Sequence, residues 1–258
     1  MGLQIVVLFA FIIMRMTGAV AFNPVFGHSN VPATIRGALV MVFSIMMYMW
    51  TGGTMTEMPG TIIEFSVMAL KELFFGFVIG FGFQLAVMVI RYGTAIIDYT
   101  MGLSMAQVYD PQTSTQMTVS SQLYNAFMML VFMAKDGHLR FMQIVFDAAD
   151  TIPFGQVMLN LELPKYVIQY FAQCIVMGIQ FAMPIIIIEM LIEVSVGLLM
   201  RVVPQINIFA VNFQIKIIVG LLMLLILFTP MSDVIDRAWS SMFDQIYQLV
   251  GLMTPVSQ

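Results

Sequence analysis

Glu189 and Glu193 stand four residues apart at the end of a long apolar run, and so lie on one face of a helix. Arg201 follows eight residues later, and Lys216 sits inside the next apolar run. An ionised side chain at the centre of a bilayer costs on the order of 2.5 to 3.5 kcal/mol on insertion scales, so such groups are rarely placed without a role. A carboxylate pair near two cations can relay protons or ions. It can equally clamp two helices as a structural ion network, which is the reading that asks less of the sequence, or stand outside the lipid altogether. Arg15, Arg36 and Glu72 pose the same alternatives nearer the N-terminus. Broken helices carrying charges near the midplane also build the binding sites of secondary transporters, so an ion-coupled small-solute transporter stays open as an alternative.

Other chemistry is poorly supplied. His28 and His138 are far apart in sequence with no metal-ligand spacing around either, and the chain has no GxSxG, HExxH, P-loop or paired-cysteine motif. Neither an enzyme, a cofactor nor a metal centre is expected. Gly76, Gly80 and Gly82 read as small residues that let helices approach closely, not as a dinucleotide fingerprint. The single cysteine, Cys174, lies in an apolar run and reads as a small buried hydrophobe.

The segment from Asp98 to Gln116, DYTMGLSMAQVYDPQTSTQ, is polar and nearly uncharged between apolar runs. Unpaired backbone groups cost several kcal/mol in lipid, so this segment must leave the bilayer, be buried in protein or line an aqueous path. The chain has 27 methionines, most of them within apolar runs where a thioether packs like leucine. Met101, Met105 and Met117 lie in or beside the polar segment. There they either pack a core or form a deformable seal.

The elements that must position these residues are helices. The 258 residues are 60% hydrophobic and 9% charged, with mean hydropathy +0.96, against about 25% charged in soluble domains. These values predict an all-α integral membrane protein, a single unit over 1–258. Six apolar segments qualify at roughly 20 residues per span: the N-terminal run to Phe22, Gly37 to Thr56, Leu73 to Ile97, Val119 to Ala134, Tyr166 to Ile188 and Ile206 to Met231. The first lacks a basic start and contains Arg15, which points to a retained helix rather than a cleaved signal. The second and fourth read as half-spans or protein-buried helices. Between Lys135 and Lys165, the spacing of Leu139, Met142, Val145, Phe146 and Ala149 predicts an amphipathic helical hairpin. A C-terminal amphipathic helix at about 232–252 places Ile235, Trp239, Met242, Ile246 and Leu249 on one face. This face suits a membrane surface, a partner or the end of the bundle. A net charge of -4 with scattered Lys and Arg argues against nucleic acid.

An ordered set of residues carries a resemblance. Arg15, Gly18, Pro24, Pro32 and Arg36 come first, followed by Glu72, Gly76 and Gly80, then Asp98, Met101, Gly102, Asp110, Pro111 and Gln116. Asp136, Gly137, His138 and Pro153 follow, and the set closes with Pro204, Gln205, Asn207, Phe209, Lys216 and Gly220. In this order they resemble the FliR/SctT family of type III secretion export apparatus subunits. Asn212 and Gln214 stand where that family often has Gly and Pro.

The resemblance implies about six hydrophobic helical segments arranged as helical hairpins with broken or short helices, like a FliP and a FliQ subunit fused in one chain. It implies a structural, pore-forming subunit of a flagellar export gate in the bacterial inner membrane and flagellar basal body. Such a subunit assembles with FliP and FliQ, contacts FlhB and FlhA, and passes unfolded flagellar proteins. The sequence DPQT at 110–113 resembles the flagellar rather than the virulence branch. The resemblance also implies a pore plug formed by Met101, Gly102, Leu103, Ser104, Met105, Val108, Tyr109, Asp110, Pro111 and Gln116. A pore that admits an unfolded chain must exclude ions at rest, and uncharged side chains suit that task. The rival readings are a loop that merely joins two helices and an assembly scaffold without pore contact.

Overall fold

The computed structural model describes residues 2–27, 31–52, 58–103, 108–110, 115–117, 119–202 and 208–254. The elements in order are α1 (Gly2–Ala21), α2 (Ala33–Trp50), α3 (Ile62–Thr100), β1 (Val108–Asp110), β2 (Thr115–Met117), α4 (Val119–Ala134), α5 (Gly137–Thr151), α6 (Glu162–Val202), α7 (Ile208–Ile226) and α8 (Phe228–Gly251). The fold is that of an all-α membrane protein, with one short antiparallel ladder that the sequence analysis does not anticipate. Among the described residues four helices, α1, α2, α3 and α6, are long and apolar enough to cross a bilayer. A fifth span results if α7 and α8, bent by 64° at their junction, count as one. Four or five spans agree with six candidate segments of which two read as half-spans or protein-buried helices. At 16 residues α4 falls short of the roughly 20 that a crossing needs.

The chain divides into two compact units. The first comprises residues Met1–Leu85, Phe132–Phe171 and Ser240–Gln258, and the second Ala86–Val131 and Ala172–Trp239. All four chain crossings fall inside helices, in α3, α4, α6 and α8.

In the first unit, α1 meets α3 backbone to backbone. A Cβ added at Gly18 would overlap the Leu73 carbonyl oxygen, and one at Gly76 would overlap that of Arg15. This is the small-residue contact expected around Gly76 and Gly80. At this crossing Arg15 and Glu72 are fully buried and paired in a fork, Nε to Oε2 at 2.6 Å and Nη2 to Oε1 at 3.1 Å. Arg15 Nη1 donates to the Ile152 carbonyl at 3.1 Å, and the Gly155 N–H donates to Glu72 Oε1 at 2.7 Å. The rings of Phe75 and Phe154 lie 4.6 and 4.1 Å from the guanidinium carbon, close enough for cation–π attraction. Elsewhere in this unit Phe83 packs edge-on against Phe132, Phe141 and Phe243 at 6.2, 5.2 and 5.8 Å.

These contacts explain two departures from the sequence expectations. The 135–165 segment is not a helical hairpin. After α5 the chain runs through turns and extended backbone to residue 161, because Pro153 cannot continue a helix and backbone groups of Ile152, Gly155 and Met158 are committed to Arg15, Glu72 and Met253. The apolar face of α5 is also rotated from the expected one. Phe141, Ile144, Val145, Ala148 and Ala149 are buried while Leu139 is exposed. The C-terminal helix begins at Phe228, and its face of Ile235, Trp239, Met242, Ile246 and Leu249 is buried within the chain, not presented outward. By contrast α2, one of the two segments expected to be half-spans or protein-buried helices, leaves most of its apolar side chains exposed.

In the second unit α3 and α6 approach at Gly93 and Gly178, where a Cβ on Gly93 would stand 2.7 Å from the Gly178 carbonyl oxygen. Tyr124 of α4 packs edge-on against Phe181 at 5.4 Å, and its hydroxyl donates to Met231 Sδ at 2.9 Å. Burial pushes that hydroxyl up to about 12, so it remains a donor at physiological pH.

Removing one member of a buried ion pair strands the other without a counter-charge, at a cost of about 3–5 kcal/mol, whereas replacing both with apolar residues is often neutral. Arg15→Met or Glu72→Leu alone is therefore expected to lower the apparent melting temperature of the purified chain sharply. The double variant should recover most of the loss. A double variant as unstable as the worse single would contradict this account of the pair.

Candidate functional site

The polar loop in the second unit is held at its base. Asp98, near the end of α3, is fully buried, and both of its carboxylate oxygens accept hydrogen bonds from Ser120 at the start of α4. The Ser120 N–H lies 3.0 Å from Oδ2 and its Oγ 2.5 Å from Oδ1. The first N–H groups of a helix have no partner within the helix, and its N-terminus favours negative charge. Asp98 satisfies one such donor from 22 residues away. One carboxylate thereby joins the entry and the exit of the loop.

Between these anchors the chain leaves α3 through Met101 and Gly102. Gly102 has φ +79°, a conformation that glycine adopts at little cost. β1 and β2 then pair antiparallel, with Val108 opposite Met117, Tyr109 opposite Gln116 and Asp110 opposite Thr115. The ladder lets backbone N–H and C=O groups of the two strands satisfy one another. Of the expected plug residues, Val108, Tyr109, Asp110 and Gln116 lie on this ladder, Leu103 is half-buried just before it, and Ser104, Met105 and Pro111 lie outside the described residues. Met101 is fully buried and faces α7. A Cβ at Gly220 would stand 2.5 to 2.8 Å from its Cε, Cγ and Sδ. Sequence reasoning named both Met101 and Gly220 but did not connect them. A glycine surrounded by bulky apolar residues in α7 is the signal that one large side chain fills its place.

The candidate charge network separates into distinct sites. Arg15 and Glu72 form the pair in the first unit, and Arg36 is half-buried with Nη1 3.4 Å from the Gly27 carbonyl. In the second unit Lys216 pairs with Glu193 at 3.4 Å, their side chains 16% and 66% exposed. Glu189, one turn earlier on α6, is 2% exposed and accepts no hydrogen bond at either oxygen. Arg201 is exposed in the last turn of α6. Of the final signature, Pro204, Gln205 and Asn207 lie outside the described residues, Phe209 falls in the first turn of α7, and Gly220 is buried in that helix. None of the described residues gathers three or more potential metal ligands.

Asp98 offers a direct test. Asp98→Ala leaves the Ser120 N–H and hydroxyl without acceptors in a buried position, and each hydrogen bond to a charged group contributes about 1.5–3 kcal/mol. The substitution is expected to lower thermal stability and to increase protease cleavage within 103–118, with Asp98→Asn falling between it and the parent chain. Unchanged cleavage in Asp98→Ala would show that the pair does not hold the loop.

Comparison with known proteins extends across this whole arrangement. The family model described as "Bacterial export proteins, family 1" matches residues 6–242. The chain is 24% identical to the flagellar biosynthetic protein FliR of Bacillus subtilis over 250 residues, 95% of either protein. It is 24% identical to that of Escherichia coli over 244 residues, 93% of this chain and 91% of the relative. It is 30% identical to that of Buchnera aphidicola subsp. Acyrthosiphon pisum over 165 residues, 64% of each. With both the Arg15–Glu72 pair and the Asp98 loop inside the matched region, the chain belongs to family 1 of the bacterial export proteins.

Proposed function

We propose that this chain is a structural and pore-forming subunit of a flagellar type III protein export gate in the bacterial inner membrane. It assembles there with FliP and FliQ subunits, contacts FlhB and FlhA, and passes unfolded flagellar proteins out of the cytoplasm. The observation that carries this reading is the match over residues 6–242, together with relatives named FliR that align over more than nine-tenths of the chain. The apolar helices support a multi-pass membrane location. No catalytic step is assigned to it, because the physical task is to seal and to yield.

The anchored loop supports a plug role within that function. Asp98 and Ser120 pin its two ends, while the ladder between them projects only short strands. A seal of this kind has to stay attached at its base while its tip gives way to a passing chain. A buried anchor at the root, with two three-residue strands beyond it, has that mechanical character.

The test removes residues 104–114 and retains Asp98 and Ser120. The full chain, tagged and expressed in its native membrane, should still co-purify with the FliP and FliQ subunits, and the assembled gate should leak ions or small molecules. Co-purification without a leak would overturn the plug role. Failure of the unaltered chain to co-purify with those subunits would overturn the assignment as a gate subunit.

A further inference from the structure

Three carboxylates are buried among the described residues: Glu72, Asp98 and Glu189. Two have donors. Glu72 receives the Arg15 guanidinium and the Gly155 N–H, and Asp98 receives the N–H and hydroxyl of Ser120. Glu189 receives none at either oxygen although it is 2% exposed. An ionised carboxylate withdrawn from water with no donor is so unfavourable that the group neutralises instead. We propose that Glu189 is a proton-binding site of the second unit, holding a proton while its neighbour Glu193 carries the ion pair to α7.

The surrounding charges fit this division of roles. The charged neighbours of Glu189 are Lys216 of α7 and Glu193 of its own helix. Lys216 is already engaged by Glu193 at 3.4 Å, and Glu193 is largely exposed, so that pair exists without help from Glu189. A proton on Glu189 leaves one positive and one negative charge in the cluster. Its loss would leave two carboxylates competing for a single ammonium on α7. Proton occupancy at Glu189 is therefore linked to the α6–α7 contact. The step is a proton exchange with water and needs no other reactant.

Infrared spectroscopy tests it on the full chain, purified with its co-purifying subunits and reconstituted in lipid. A protonated carboxylic acid has a carbonyl stretch that a carboxylate lacks, and ordinary exposed acids do not contribute it at neutral pH. The expected spectrum at neutral pH contains such a band. It should be lost in Glu189→Gln, shifted in Glu189→Asp and kept in Glu193→Gln. Absence of the band from the parent chain would overturn the proposal, as would a band unmoved by either change at Glu189. Lys216→Met provides a check that does not depend on altering Glu189. Here the band should persist, whereas a band that appears only in this variant would show Glu189 to be an ionised partner of Lys216. That result too would overturn the proposal.

Discussion

The Arg15–Glu72 pair is the interaction on which the first unit depends. Both charges are fully buried, and each member justifies the other, since an unpaired ion in that position would be intolerable. The pair forms only because Gly18 and Gly76 let two helix backbones touch, which brings side chains 57 residues apart into a fork geometry. Each member also makes one bond to the chain after α5, through Ile152 and Gly155. One ion pair thus orders two helices and a connecting segment. A lysine at position 15 could not reproduce the planar two-point contact while also reaching the Ile152 carbonyl.

The second unit meets the same requirement with different chemistry. Its polar loop follows α3 and precedes α4, and the buried group at its root is a carboxylate that accepts hydrogen bonds from a helix N-terminus and a hydroxyl, not, among the described residues, from a cation. Met101 fills the space left by Gly220, so the loop is fastened by packing as well as by hydrogen bonds. Glu189 is the contrasting case. It is as buried as Glu72 or Asp98 but has no donor, which distinguishes a group that binds a proton from groups that hold the fold.

Much of this was legible in the sequence because it follows from local pattern. Long apolar runs and the small residues at Gly76 and Gly80 depend on near neighbours along the chain. Helix limits were less legible. α3 starts eleven residues before its apolar window at Leu73, because Glu64, Lys71 and Glu72 lower the hydropathy without weakening a helix. Val119 to Ala134 satisfies an apolar count, yet at 16 residues it ends at the Asp136 turn before it could cross a bilayer. The apolar face of α5 was misplaced for a related reason. Its pattern allows two adjacent stripes, and only the aromatic cluster around Phe83 selects the one containing Phe141.

The amino-acid sequence by itself determined that the chain is a helical membrane protein, that a polar loop interrupts it, and which charges and glycines have to be accounted for. These are properties of composition and short-range spacing. Only the tertiary structure decided which charges meet. It joined Arg15 to Glu72, Asp98 to Ser120 and Lys216 to Glu193, and it left Glu189 without a donor. The physical reason is that whether a buried charge is satisfied depends on distances of about 3 Å between groups remote in sequence. Spacing along one helix cannot specify such distances.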